Sequence, residues 1–159
     1  MTLSIRPATP ADTGTIIGFI RALAEYEKLL HEVVATEADL ERDLFGPSPK
    51  VFCELAELDG KPVGFALWFY TYSTFQGRHG LYLEDLYVLP ETRGQGIGKA
   101  LLVELARRCV SEKLGRYEWS VLDWNEPSIL FYKAQGGELM SEWIRVRVTG
   151  PALEKLGAQ

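Results

Sequence analysis

Apolar residues recur along this chain in two rhythms. Leu3-Ser-Ile-Arg6 reads as a short strand ending at Pro7, and Pro10-Ala-Asp12 then offers an N-cap. Ile16, Phe19, Ile20, Leu23 and Ala24 follow at helical spacing, which predicts a helix through to Leu30. Thr36-Glu-Ala-Asp39 has the form of a capping box with Asp in place of Glu, opening a short helix that stops at Gly46-Pro47. Two strand-like runs, Val51 to Leu58 and Val63 to about Thr74, flank Asp59-Gly60-Lys61-Pro62 and predict an antiparallel hairpin. Leu81 to Leu89 is a further strand. From Ile97, a stripe of Leu101, Leu105 and Cys109 flanked by Leu102, Ala106 and Val110 predicts a helix ended by Gly115. Tyr117 to Leu122 reads as a strand, Glu126 to Gln135 as a short helix with Pro127 in its first turn, and Trp143 to Thr149 as a closing strand. The order β-α-α-β-β-β-α-β-α-β is an α/β mixture with a largely antiparallel first half, expected to form one domain over residues 1–159.

Composition narrows the class without deciding the chemistry. With 47% hydrophobic and 25% charged residues, 159 residues suffice for one core. The longest apolar run, Val63 to Tyr70, is far short of the roughly 20 residues that span a bilayer, so no membrane partner is expected. The start MTLSIRPATPAD lacks the basic and apolar regions of a secretory leader, and Cys53 and Cys109 suit buried free thiols, so a cytoplasmic location is expected. The net charge of −5, with no basic cluster, argues against nucleic acid as a partner. His31 and His79 lie far apart with no cysteine at ligand spacing, so no metal is implied.

Chemistry concentrates in Leu81-Tyr-Leu-Glu-Asp-Leu-Tyr-Val-Leu-Pro-Glu-Thr-Arg-Gly-Gln-Gly-Ile-Gly-Lys99. Strict alternation puts Tyr82, Glu84, Leu86 and Val88 on one face and Leu83, Asp85, Tyr87 and Leu89 on the other. Both faces are apolar apart from one acid each, as in a central strand, and buried carboxylates are costly unless paired or used. The glycine-rich turn that follows feeds a helix N-terminus, a ready anion site with Arg93 and Lys99 beside it. It fits neither phosphate loop in common use. A P-loop would need glycine where Arg93 stands and Ser or Thr where Ala100 stands, and the dinucleotide fingerprint would need its last glycine one residue later than Gly98.

Arg93-Gly-Gln-Gly-Ile-Gly98 after a strand ending in Val-Leu-Pro resembles the acetyl-CoA pyrophosphate loop of the GNAT superfamily of N-acetyltransferases, Arg/Gln-x-x-Gly-x-Gly/Ala. The resemblance implies the GNAT-type acyl-CoA N-acyltransferase fold, a mixed, mainly antiparallel sheet flanked by helices, with acetyl-CoA as cosubstrate. It further implies that Arg93, Gly94, Gln95, Gly96, Ile97, Gly98 and Lys99 hold the pyrophosphate, while Leu86, Tyr87 and Val88 offer backbone groups to the pantetheine arm. Asn125, Glu126, Pro127 and Ser128 would contact the cofactor, and Tyr132 would bind it and protonate the departing thiolate.

Ile5-Arg-Pro-Ala-Thr9, Leu23-Ala-Glu-Tyr-Glu27, Tyr82-Leu-Glu-Asp85 and Trp124-Asn-Glu-Pro-Ser128 extend the likeness to the diamine and polyamine acetyltransferase group, which includes spermidine/spermine and thialysine N-acetyltransferases. By this resemblance Tyr26, Glu27, Glu84, Asp85, Glu142 and Trp143 would contact a small cationic amine, with Glu84 as base through a water. Ser73-Thr74-Phe75 stands where the polyamine enzymes carry Asp-Pro-Trp, which favours the thialysine branch. A homodimer is implied, to which the aromatic strand Trp68-Phe-Tyr-Thr-Tyr72 could contribute. The expected function is acetyl transfer to a small primary amine in a ternary complex. A protein or peptide N-acetyltransferase and a non-catalytic acyl-CoA-binding regulator are the alternatives.

Overall fold

A computed structural model describes residues 1–159, which gather into two compact units, residues 1–122 and 123–159. In the first, five strands form one sheet in the order β1 (Leu3–Pro7), β2 (Phe52–Leu58), β3 (Lys61–Ser73), β4 (Arg78–Val88) and β5 (Tyr117–Trp119). The first three pairings are antiparallel, and β4–β5 is parallel across the helix α3 (Ile97–Ser111). This is the mixed, mainly antiparallel sheet expected. The hairpin between β2 and β3 turns through Asp59 (φ 50°) and Gly60 (φ 80°), the left-handed pair that a two-residue turn needs.

Helices α1 (Thr13–Tyr26) and α2 (Glu37–Phe45) cover one face of the sheet. Thr36 caps α2 as its sequence foretells, its hydroxyl accepting from the Asp39 N–H at 3.3 Å while Asp39 accepts from the Thr36 N–H at 2.9 Å. Ile16, Ile17 and Phe19 of α1 pack with Leu40 and Leu44 of α2 against Cys53, Leu55, Phe65, Leu67 and Tyr87 of the sheet. A bidentate pair from Arg6 to buried Asp12, at 2.8 and 2.9 Å, ties β1 to the turn that enters α1 and holds the Asp12 carboxyl down at about 2. Alternation sends Glu54 and Trp68 to the opposite face, where Ile97, Leu101, Leu102 and Leu105 of α3 are buried. There the enclosed Glu54 carboxylate accepts from the Trp68 indole N–H and from Arg108 at 3.3 Å, with Arg108 lying 4.9 Å over the Trp68 ring. Arg108 also pairs with Glu112 at 3.0 Å, so the network binds two strands to the end of α3. Removing one partner of such an enclosed pair costs about 3–5 kcal/mol in other proteins.

Strict alternation fails at one residue of β4. Leu67 pairs with Asp85 and Trp68 with Leu83, leaving Glu84 as the extra residue of a β-bulge. Leu83 therefore shares the α3 face with Leu86 and Val88, while Asp85 and Tyr87 face α1 and α2. The bulge shifts the phase of the side chains and separates the two acids from the simple one-per-face arrangement.

Strand β5 pairs with β4 only from Leu81 to Leu83 and ends at Trp119, three residues short of the expected Leu122. A strand persists only while it has a partner, and from Glu84 onward the β5-facing edge of β4 is open. Leu89 donates to Val63 on β3 at 2.8 Å, so by alternation the amide of Tyr87 also turns toward β3. The backbone groups of Leu86 and Val88 turn to the open edge.

In residues 123–159, α4 (Glu126–Ala134) forms as expected and α5 (Gly150–Gly157) does not follow from the sequence reading. The closing strand expected over Trp143 to Thr149 is absent. These residues have the alternating pattern of a strand but form none, and Trp143, Ile144 and Val146 are exposed.

Candidate active site

Three acids meet where β4 bulges. Glu27 follows the last residue of α1, and Lys28 beyond it takes a left-handed φ of 63° that ends the helix. Partial burial, followed by the charge of Glu84, raises the Glu27 carboxyl above its ordinary range. Asp85 is enclosed further. Burial foremost, then Glu84 and Glu27, push its carboxyl up to about 7. Glu84 itself is exposed. The cluster attracts a cation, and a carboxyl near 7 exchanges a proton readily at neutral pH.

Beyond Val88 the chain runs through Pro90–Thr92 into the glycine turn. Gly94 (φ 79°) and Gly96 (φ 80°) both take left-handed conformations that a side chain would strain, and Gly96 is the N-cap of α3. No atom lies within 4 Å of where a Cβ would project from either, so the turn presents bare backbone. The first helical bond runs from the Ala100 N–H to the Gly96 carbonyl at 2.9 Å, which leaves the N–H groups of Ile97, Gly98 and Lys99 outside the helical ladder. Ile97 is buried and anchors the turn, while Gln95 and Lys99 are exposed. The residues fit a polyanionic cofactor arm: bare N–H groups at a helix N-terminus, a lysine beside them and an unpaired strand edge upstream.

Arg93 does not simply add charge to this turn. Its Nε donates to the Val88 carbonyl at 2.9 Å, and its guanidinium lies 5.3 Å from the Tyr26 ring centre and 5.5 Å from that of Tyr87. Sequence reasoning missed this contact, because Tyr26 and Arg93 are brought together only by folding. It also missed the bond between Tyr82 and Ser120, at 2.6 Å, which ties β4 to the chain just past β5 where the two strands part.

Tyr26, Glu27, Glu84, Asp85, Tyr87, Val88 and Arg93 are thus gathered within residues 1–122. The remaining expected site residues belong to residues 123–159. Asn125 caps α4, its side chain accepting from the Ser128 N–H at 3.4 Å, with Glu126 and Pro127 in the first turn. Tyr132 sits one turn further along α4, its ring 5.5 Å from that of Phe131. Glu142 lies in a turn and Trp143 in the exposed segment after it.

Comparison with known proteins gives the family and the fold. The profile of the acetyltransferase (GNAT) family matches residues 25–136. The chain is 39% identical to the thialysine N-epsilon-acetyltransferase of Bos taurus, over 98% of this chain and 97% of that one. It is 31% identical to an L-ornithine N5-acetyltransferase of Arabidopsis thaliana, over 96% of this chain and 86% of the other. Among solved structures, an integron cassette protein from the mobile metagenome of V. cholerae superposes with a TM-score of 0.83 at 26% identity, covering 100% of this chain and 99% of that one.

Proposed function

Because this chain belongs to the GNAT family of acetyltransferases, we propose that it transfers the acetyl group of acetyl-CoA to the side-chain primary amine of a small lysine-like amino acid. The observation that carries the reading is the cluster of Glu27, Glu84 and Asp85 at the bulge, on the strand whose open edge leads into the glycine turn. The two relatives above are named for thialysine and L-ornithine, amino acids that each end in a primary amine. Ser73-Thr74-Phe75 in place of a second acidic site fits such a short acceptor better than a long polycation.

When bound, acetyl-CoA supplies an acyl thioester that a neutral amine can attack. The N–H groups of Ile97, Gly98 and Lys99 hold the pyrophosphate, with the Lys99 ammonium beside them. The backbone groups of Leu86 and the N–H of Val88, whose carbonyl is taken by Arg93, face the open edge and would pair with the pantetheine arm, one of these amides polarising the thioester carbonyl. Tyr87 then contributes its ring rather than its amide. Glu27 and Asp85 draw in the ammonium form of the acceptor. Glu84 removes its proton through a water, sharing the load with Asp85 behind it, and Tyr132 donates its phenolic proton to the sulfur as the C–S bond breaks. By the family resemblance Glu142 and Trp143 would also contact the acceptor. The exposed aromatics Tyr70, Tyr72 and Phe75 support self-association through the β3–β4 hairpin. Light scattering is expected to give twice the 17.9 kDa chain mass, and the monomer mass would remove that assignment.

Release of CoA from acetyl-CoA across a panel of thialysine, lysine, ornithine, putrescine, spermidine and a short peptide tests the proposal. The amino acids are expected to turn over with kcat/KM at least tenfold above spermidine and the peptide. Preference for the peptide would make the chain a protein modifier. Binding of CoA with no release for any amine would make it a regulator.

A further inference from the structure

Arg93 opens the glycine turn, and in an anion-binding loop an arginine is expected to face the anion. Its contacts point elsewhere. One guanidinium lies against two aromatic rings, Tyr26 at the end of α1 and Tyr87 on β4, while its Nε is committed to the last carbonyl of β4. A planar cation suits this arrangement, since it can lie against rings and still donate in its own plane, which an ammonium cannot do. Glu27, the next residue after Tyr26, is one of the three acids at the bulge. Whatever fixes Tyr26 therefore fixes the residue that carries part of the acceptor's negative field.

Resting on the acetyltransferase reading above, we propose that Arg93 is a positioning residue for the amine, acting through Tyr26 and Glu27, rather than a ligand of the cofactor pyrophosphate. The cofactor turn and the acceptor site are joined through this one side chain. A disturbance of the turn is felt by the amine, and the turn's own anion grip, made of backbone N–H groups, is left in place.

The test compares wild type with Arg93→Lys, Arg93→Met, Tyr26→Leu and the double variant Arg93→Met/Tyr26→Leu. The readouts are amine KM, kcat, equilibrium binding of CoA and melting temperature. Arg93→Met is expected to raise the amine KM about tenfold while CoA binding stays within threefold. Arg93→Lys should recover part of the loss, because it keeps the charge and a donor for Val88 but cannot lie flat against both rings. Tyr26→Leu should reproduce the Met variant, and the double variant should be no worse than the poorer single by more than twofold. A tenfold loss of CoA binding in Arg93→Met with an unchanged amine KM would overturn the inference and return Arg93 to the pyrophosphate. So would a double variant whose losses multiply. If Arg93→Met melts far below wild type, the Lys variant carries the comparison. A wild type that acetylates no amine would overturn the underlying reading and this inference together, an outcome distinct from an active wild type whose amine KM ignores Arg93.

Discussion

Tyr132→Phe is expected to lower kcat about 10²-fold while the amine KM stays within about threefold. The substitution removes one hydroxyl and keeps the ring, so its contact with Phe131 survives while the acidic proton is lost. A departing alkyl thiolate needs a proton or a strong donor, and a phenol remains protonated at neutral pH to supply it. The loss should fall on kcat because the proton is given up as the C–S bond breaks, not when the amine binds. Single-turnover measurement of thiol release in the variant beside wild type reads this directly. Undiminished release would remove Tyr132 from the acid role and leave solvent to protonate the sulfur.

Asp85 sets a second large effect, seen in the pH profile. With its carboxyl at about 7, kcat/KM for the amine is expected to rise as pH passes upward through 7, because the proton-accepting pair must be ionised to work. Asp85→Asn removes the group that titrates at about 7, so the rising limb there should disappear as the overall rate falls. Glu84→Gln should keep the Asp85 limb, moved somewhat downward because burial still raises that carboxyl but the neighbouring charge is gone, and lose about 10²-fold in rate. A rate loss confined to Asp85→Asn, with Glu84→Gln at full activity, would transfer the base role to Asp85. Stability runs the other way from activity. The folded-state value of Asp85 lies above the unfolded 3.8, so the native form holds the extra proton between those limits. The stability this proton confers is lost as pH rises through 7. Asp85→Asn carries no charge to bury and is expected to melt about 4 °C above wild type at pH 8, with the difference closing toward pH 4.

Much of this was legible in the residues, and the reason is locality. The Asp59-Gly60 turn, the Thr36 cap and the Gly96 turn into α3 are each written within a few residues, where backbone preference decides. The order of elements through α4 and both acids of β4 follow from the same short-range signals. What escaped reading depends on partners distant in sequence. The bulge at Glu84 exists only against Leu67 and Trp68, and strict alternation could not anticipate it. Trp143 to Thr149 has the letters of a strand and forms none, so pattern alone misjudged it, while the short apolar stripe of α5 gave too little periodicity to be noticed. The Arg93–Tyr26 contact likewise joins positions that no window along the chain brings together.

The extra residue in β4 makes a single continuous strand read in two frames. Upstream of Glu84, Leu81 and Leu83 look toward α3. Downstream, the same parity of position looks toward α1 and the acceptor. Deleting Glu84 is therefore a different operation from replacing it. A substitution changes one side chain and keeps the bulge, whereas deletion of Glu84 would remove the bulge and leave Leu83, Leu86 and Val88 on the α3 side and Asp85 and Tyr87 on the other in plain alternation. A one-residue deletion elsewhere in the strand would turn the side chains beyond it to the wrong face, so this is the position of β4 where losing a residue should disturb the core least, at the cost of the Glu84 carboxylate.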